Sequence, residues 1–404
     1  MNNFFENYKS LKYINLSNIQ TSISNMNYMF SNCKVLEYVD LSNINIATLV
    51  NAEGMFLDCS SLITANLSNF NAINLNNAKY MFKNCYTLNV LDLNNFYIPS
   101  IIELNEIFSF CSSLTYIDIS KFNYASVTNI NKMFYKCSSL LSIDLLYFDQ
   151  PSINDMSYLF YNCSSLSFID LSNINFEITS YMNHMFHGCS SLKYINLLNF
   201  NPINIIYIDY MFYDCFSLEY IDLSNLNVPK LEKTEGMFAN CFSLSSVNLS
   251  NIKANNLQNA KYMFDNCYSL KYIDLSYFEA ISLIHLTSFF SGCSSLTSIN
   301  LSTFNVPSVI DISYMFAKCS SLISLNLTEF NLPNVQDMNN MFYNCSSIKS
   351  IDLTNFNPQN IINMNSTFSN CISLEYLNIS QFDTLSLKYI SSMFSNCNSL
   401  VALN

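Results

Sequence analysis

The sequence predicts an α/β repeat solenoid, a stack of parallel strands and short helices, and three observations lead there. The fifteen cysteines of the 404-residue chain recur at a fixed interval of 26 residues. Inside each interval one stretch alternates apolar and polar residues as a strand does, and another spaces its apolar residues three or four apart as a helix does. Half of the chain is apolar and only 11% is charged, with no shift in composition to mark a linker or second domain.

The cysteines set the register: Cys33, Cys59, Cys85, Cys111, Cys137, Cys163, Cys189, Cys215, Cys241, Cys267, Cys293, Cys319, Cys345, Cys371 and Cys397. An earlier copy, 25 residues long, carries Tyr8 in place of the cysteine. The expectation is one solenoid domain over residues 1–404, about sixteen repeats with no clear capping module. Counting from the cysteine as position 0, a unit reads roughly C-S-S-L-x-x-I-D-L-S-x-F-N-x-x-S-V-x-x-M-x-x-M-F-x-x.

The strand comes first. In Leu166–Leu171 the residues Ile169 and Leu171 alternate with Phe168 and Asp170, so one face is buried and the other is free. The helix follows. From Val309 through Ile312, Met315, Phe316 and Cys319 to Leu322 the spacing gives one buried helical stripe. All seven prolines (Pro99, Pro151, Pro202, Pro229, Pro307, Pro333, Pro358) precede that stripe, at position 13 or 14. Ser, Thr or Asn follows at position 15, as at Thr48, Asn74, Ser100, Ser126, Ser152, Asn256, Ser308 and Asn334, where a side-chain oxygen is expected to cap the first free N–H groups. Strands about 4.8 Å apart beside helices about 8 to 10 Å apart would bend the stack into an arc, strands concave and helices convex.

Charge narrows the partners. The formal net charge is −12, and lysine is the only strong cation because no arginine occurs. Nucleic acid is excluded on this ground, since a phosphate-tracking surface needs clustered Lys and Arg. No cofactor is expected: there is no G-x-S-x-G, no phosphate-cradling glycine loop and no H-E-x-x-H. The chain therefore reads as a non-enzyme. Its N terminus lacks the basic start and apolar core of a signal peptide, and no stretch is long and apolar enough to span a membrane. The last copy stops at Asn404 within its strand, which raises end-to-end self-association through an open edge.

The run M-F-x-x-C-x-S-L-x-x-I-D-L-S-x-F-N resembles the roughly 26-residue repeat of the BspA-like leucine-rich repeat proteins, over essentially the whole chain. The leucine-type positions of the common leucine-rich repeat are kept, for example at Leu36, Val39 and Leu41. Its asparagine is not: Phe70, Phe122, Phe304 or Phe330 stands there, with Asn71, Asn123, Asn305 or Asn331 one residue later, so a phenylalanine spine is expected instead of an asparagine ladder. The resemblance implies display at the cell surface or secretion, and adhesion or protein–protein contact; a cytoplasmic interaction scaffold is the alternative.

The exposed strand positions are the candidate site, for a protein or glycan ligand on the concave face. Position 5 is aromatic in many copies, among them Tyr116, Tyr194, Tyr220 and Tyr272; position 7 is always acid or amide, including Asp92, Asp118, Asp144, Asp170 and Asp222. The alternative is a solvated ladder in which tyrosine merely suits a strand. Four successive carboxylates, Asp92 to Asp170, should repel one another and raise some of their pKa values unless a cation sits among them, and a flat sheet supplies too few ligands to hold calcium tightly. The cysteines from Cys33 through Cys215 and beyond read as a buried, reduced ladder of small apolar fillers, since pairing any two would break the register. His184 and His187, three apart in one copy of sixteen, read as exposed helix positions, with a two-histidine metal site as the alternative, and no metal site is expected.

Overall fold

The structure, a computed structural model, describes the chain except for Met1, Lys121, Asn123, residues 146–151, Glu329, Asn331, Thr354, Asn355 and Asn357. Three residues used in the sequence argument, Asn123, Pro151 and Asn331, thus lie outside the described residues. The chain divides into two compact units, Met1–Phe200 and Asn201–Asn404.

The first unit carries β1 (Tyr13–Asn15), β2 (Tyr38–Asp40), β3 (Thr64–Asn66), β4 (Val90–Asp92), β5 (Phe168–Asp170) and β6 (Tyr194–Asn196). The second carries β7 (Tyr220–Asp222), β8 (Ser246–Asn248), β9 (Tyr272–Asp274), β10 (Ser298–Asn300), β11 (Ser324–Asn326), β12 (Ser350–Asp352), β13 (Tyr376–Leu377) and β14 (Ala402–Leu403). Every recorded strand pair is parallel and in repeat register, as in Ile14 opposite Val39 and Ile221 opposite Val247. A second ladder of single bridges runs eight residues before the cysteines, Asn25 to Asn51 to Asn77 in the first unit and Asp311 to Asp337 to Asn363 in the second. Each coil therefore grips its neighbours along more than one edge.

The predicted helices are absent: among the described residues no α-helix forms, and the second half of each coil is a succession of tight turns. Two residues per coil, five and one before the cysteine, sit in the left-handed region, for example Tyr28 (φ 52°) and Asn32 (φ 58°), and a right-handed helix cannot pass through them. The hydrogen bonds show what replaces it. Met29, Ser31 and Cys33 donate N–H groups to carbonyls three residues back, while Tyr28, Phe30 and Asn32 donate to Glu53, Met55 and Leu57 of the next coil. A helix would spend every amide within itself. Here alternate amides stitch the coils together. The apolar spacing that imitates a helix, Met26, Met29, Phe30, Cys33 and Leu36, is the inward side of this turn series, and all five are buried.

The expected helix caps have a different task as well. Thr48, Ser100 and Ser152 donate their hydroxyls to the carbonyls of Ile23, Ile73 and Tyr124 in the preceding coil, and Asn74, Asn256 and Asn334 donate amides to Ala47, Pro229 and Pro307 in the same way. They clamp coil to coil, because no helix end is there to cap.

The core is built of columns. Three residues before the cysteine, Phe5, Phe30, Phe56, Phe82, Phe108, Phe134, Phe160 and Phe186 stack with ring centroids 5.1 to 5.8 Å apart in the first unit. Phe212, Phe238, Phe264, Phe290, Phe316, Phe342, Phe368 and Phe394 repeat this at 5.4 to 5.9 Å in the second. Those separations suit offset stacking. The spine expected from Phe70, Phe122, Phe304 and Phe330 exists in shorter runs, such as Phe70 on Phe96 at 5.3 Å and Phe304 on Phe330 at 6.0 Å. Asparagine ladders occur too, shifted to left-handed positions: Asn69 donates to Asn43 at 2.9 Å, Asn95 to Asn69 at 3.0 Å and Asn251 to Asn225 at 3.0 Å.

The fifteen cysteines are thiols outside any disulfide, and all but Cys397 are buried. They are more than apolar filler. The Cys59 thiol donates to the Phe30 carbonyl at 3.0 Å, Cys85 to Phe56 at 3.2 Å, and Cys241 to Phe212 at 3.1 Å, a contact that recurs from coil to coil. Burial holds these thiols protonated, with Cys137 pushed up to about 12.

Candidate ligand-binding face on the strands

In most of the three-residue strands the middle residue is buried and the residues on either side are more exposed, as in β1, β5 and β7. Tyr13, Tyr116, Phe168, Tyr194, Tyr220, Tyr272 and Tyr376 all leave 45% or more of their surface exposed, although strand propensity alone would keep a tyrosine there. Tyr194, Tyr220 and Tyr272 stand on β6, β7 and β9, and Asp92, Asp170 and Asp222 on β4, β5 and β7. Tyr116, Asp118 and Asp144 fall between β4 and β5, where the described residues form no strand. The run of four carboxylates is therefore not one continuous strand ladder.

Position 7 is acid or amide for a local reason. Its side-chain oxygen accepts the N–H two residues on: Asp92 from Asn94 at 2.9 Å, Asp118 from Ser120 at 2.8 Å, Asp170 from Ser172 at 2.9 Å and Asp222 from Ser224 at 2.9 Å. This is an Asx turn that ends the strand. Asp170 is not among the carboxylates that rise: its pKa is lowered because the Ser172 hydroxyl and then the Ser172 N–H stabilise its charge. At Asp222 burial pushes upward, but hydrogen bonds from Ser224, Asn248 and Tyr220 outweigh it and the pKa falls.

One groove brings predicted residues together. Tyr220 on β7 and Tyr272 on β9 rise on either side of β8, where Ser246 offers only a small side chain, leaving a recess of about 290 Å³ lined also by Asn248, Asp274 and Tyr277. The Tyr220 hydroxyl donates to Asp222 Oδ2 at 3.1 Å and the Tyr272 hydroxyl to Asp274 Oδ2 at 3.2 Å. Burial, then the neighbouring carboxylate, raises both phenol pKa values, so the rings stay neutral and their orientation is fixed. The floor and walls thus offer the aromatic faces of Tyr220 and Tyr272, the Asp274 carboxylate and the Asn248 amide. Asn248 and Asp274 belong to the acid-or-amide row at position 7; Tyr277 was not singled out, although it stands where most coils carry asparagine. A wider, more polar recess of about 470 Å³ lies over β11 to β13, lined by Asn326, Asp352, Tyr376 and Asn378 among others.

A parallel-strand solenoid of 26-residue coils with leucine-type core positions is the architecture of the leucine-rich repeat class. The family model described as Mycoplasma protein of unknown function, DUF285, matches residues 1–116, 67–166, 89–194, 154–273, 242–350 and 323–402. The chain belongs to that family, and its repeat is of the BspA-like leucine-rich type. No curated protein sequence matches it. Among solved structures it is similar to a leucine-rich repeat protein from Bacteroides ovatus, at 21% identity over 94% of this chain and 92% of that one, with a TM-score of 0.64. That likeness shows the fold. Looser similarities are to a leucine-rich cell surface protein from Faecalibacterium prausnitzii (17% identity, 97% and 82% covered, TM-score 0.35) and a leucine-rich repeat protein from Eubacterium ventriosum (16%, 72% and 78%, 0.35). Among the described residues no helix is long and apolar enough to cross a membrane.

Proposed function

We propose that this chain is a non-enzymatic, surface-exposed repeat protein whose strand face holds a protein or glycan ligand, in adhesion or protein–protein contact. The observation that carries this reading is the recess between Tyr220 and Tyr272 over Ser246. Exposed aromatic faces stack on a sugar ring or an aromatic side chain, while Asp274 and Asn248 supply acceptors for hydroxyl or ammonium groups. Interfaces concentrate their binding energy on such tyrosine anchors. The core columns hold the stack together without them. Arrays of immobilised glycans and of immobilised proteins, probed with the wild type and with Tyr220→Ser/Tyr272→Ser, test the proposal. A ligand held by the wild type and lost by the double variant supports it, and equal retention by both removes it.

An intracellular interaction scaffold is the second reading, favoured by the row of thiols outside any disulfide, which suits a reducing compartment. Protease shaving of intact cells separates the two. A chain cut only after lysis is not on the surface.

A further inference from the structure

The turn side of the first unit holds an arrangement unlike the other coils. His184, in the left-handed region at φ 56°, and His187 are the ends of a single turn closed by the His187 N–H donating to the His184 carbonyl at 3.3 Å. Ends of one tight turn share a side, and the two Nδ1 atoms come to 3.2 Å of each other. The preceding coil holds both rings in place: Tyr158 stacks on His184 at 4.6 Å and Tyr161 on His187 at 4.5 Å. They are half-buried, not the exposed helix positions expected from the sequence.

We propose that His184 and His187 form a bidentate site for a divalent transition-metal ion, bound through both Nδ1 atoms. With metal–imidazole bonds of about 2.0 to 2.1 Å, nitrogens 3.2 Å apart subtend about 100° at a shared ion, close to a tetrahedral angle. A linear two-coordinate ion would need nitrogens about 4 Å apart and does not fit. Calcium and magnesium are excluded by the nitrogen donors, whereas Zn²⁺, Ni²⁺ and Cu²⁺ suit imidazole. Stacking on the two tyrosines fixes the ring planes before the ion arrives, which removes part of the ordering cost of binding. Binding through both Nδ1 atoms takes the tautomer with the proton on Nε2 in each ring, so the ion replaces the hydrogen bond that now joins the two Nδ1 atoms. Among the described residues no third His, Cys, Asp or Glu completes the set, so the other coordination positions are open to water.

The test is Zn²⁺ binding by the folded, reduced protein against a chromogenic chelator, for the wild type, His184→Gln, His187→Gln and the distant control His285→Gln. One equivalent is expected for the wild type and the control, with affinity at least about tenfold lower in each of the other two, since even an outer partner of a metal ligand is worth ten- to a hundredfold. Equal affinity in all four proteins, or no uptake by the wild type, overturns the site. Should either variant fail to fold, Cu²⁺ bound to the wild type decides: electron paramagnetic resonance showing coupling to two imidazole nitrogens supports the pair, and oxygen-only or thiolate coordination overturns it.

Discussion

The two halves of a coil solve different problems. In the turn half the same residue types return at the same place: Phe30, Phe56 and Phe82 are buried and stacked, as are Phe238, Phe264 and Phe290, and the cysteine three residues later donates to the phenylalanine carbonyl of the coil before. On the strand half the inward residue and the acid or amide after it are held to a type, and the outward residue before it is not. That outward residue is tyrosine at 220, serine at 246 and tyrosine at 272, with no effect on the register of the paired strands. A column that tolerates nothing but phenylalanine is structural. A row that alternates large and small, and so opens recesses, is free to vary with what it holds.

That contrast can be broken from the turn side first. Phe134→Ala should cost about 3 to 5 kcal/mol, because it removes a fully buried ring with stacked neighbours at 5.7 and 5.5 Å and leaves a cavity, read as a lower midpoint in urea unfolding. Gly236→Ala should cost about 1 to 2 kcal/mol in the same assay. Its φ is 56° and an added Cβ would meet the Tyr210 ring at 2.6 Å, so the ring must move as well. Cys241→Ala, which leaves the Phe212 carbonyl without the thiol's hydrogen bond, should cost about 1 kcal/mol.

Titration sharpens the same division. The buried thiols have folded-state pKa values raised above the unfolded value of 9.0, as at Cys137 with about 12, so the protonated form is the folded form. Their contribution is complete below pH 9, fades as pH rises from there through the folded value, and should appear as cooperative alkaline unfolding. His184 and His187 act at the other end. Their pKa values fall from 6.5 to about 4 on folding, chiefly through burial, so stability is full above pH 6.5 and declines as pH drops towards 4. Replacing both by glutamine should flatten that acid limb in thermal melts, and an unchanged limb would mean the pair is solvated.

Much of this was legible in the sequence, and the part that was not has a definite cause. The cysteine interval gave the coil length, and the alternation around Ile169 gave the strand and its buried face. The turn half misleads because Met26, Met29, Phe30, Cys33 and Leu36 fall three and four apart, which a helix and a series of three-residue turns both satisfy. The distinguishing residues were present. Asn32, Asn84, Asn162, Gly188, Asn240 and Gly292 all precede a cysteine, and asparagine and glycine are the residues that adopt a left-handed conformation at least expense. On the strand face the rows of tyrosine and carboxylate were visible, but the Asx turns that occupy one oxygen of each carboxylate were not, since hydrogen bonding to the backbone leaves no mark in composition. The recess over Ser246 depended on which rows stand two strands apart, which only the stacking register reveals.

The most direct measurement compares Tyr220→Ser/Tyr272→Ser with Phe238→Ala, all in the second unit, by urea unfolding. Surface substitutions away from packing features shift stability by about 0.5 kcal/mol or less, so the double variant should stay within about 1 kcal/mol of the wild type while Phe238→Ala loses about 3 to 5. If removing the two tyrosines instead destabilises the protein as much as removing the buried phenylalanine, those rings are part of the scaffold and the strand face is not a surface held free for a ligand.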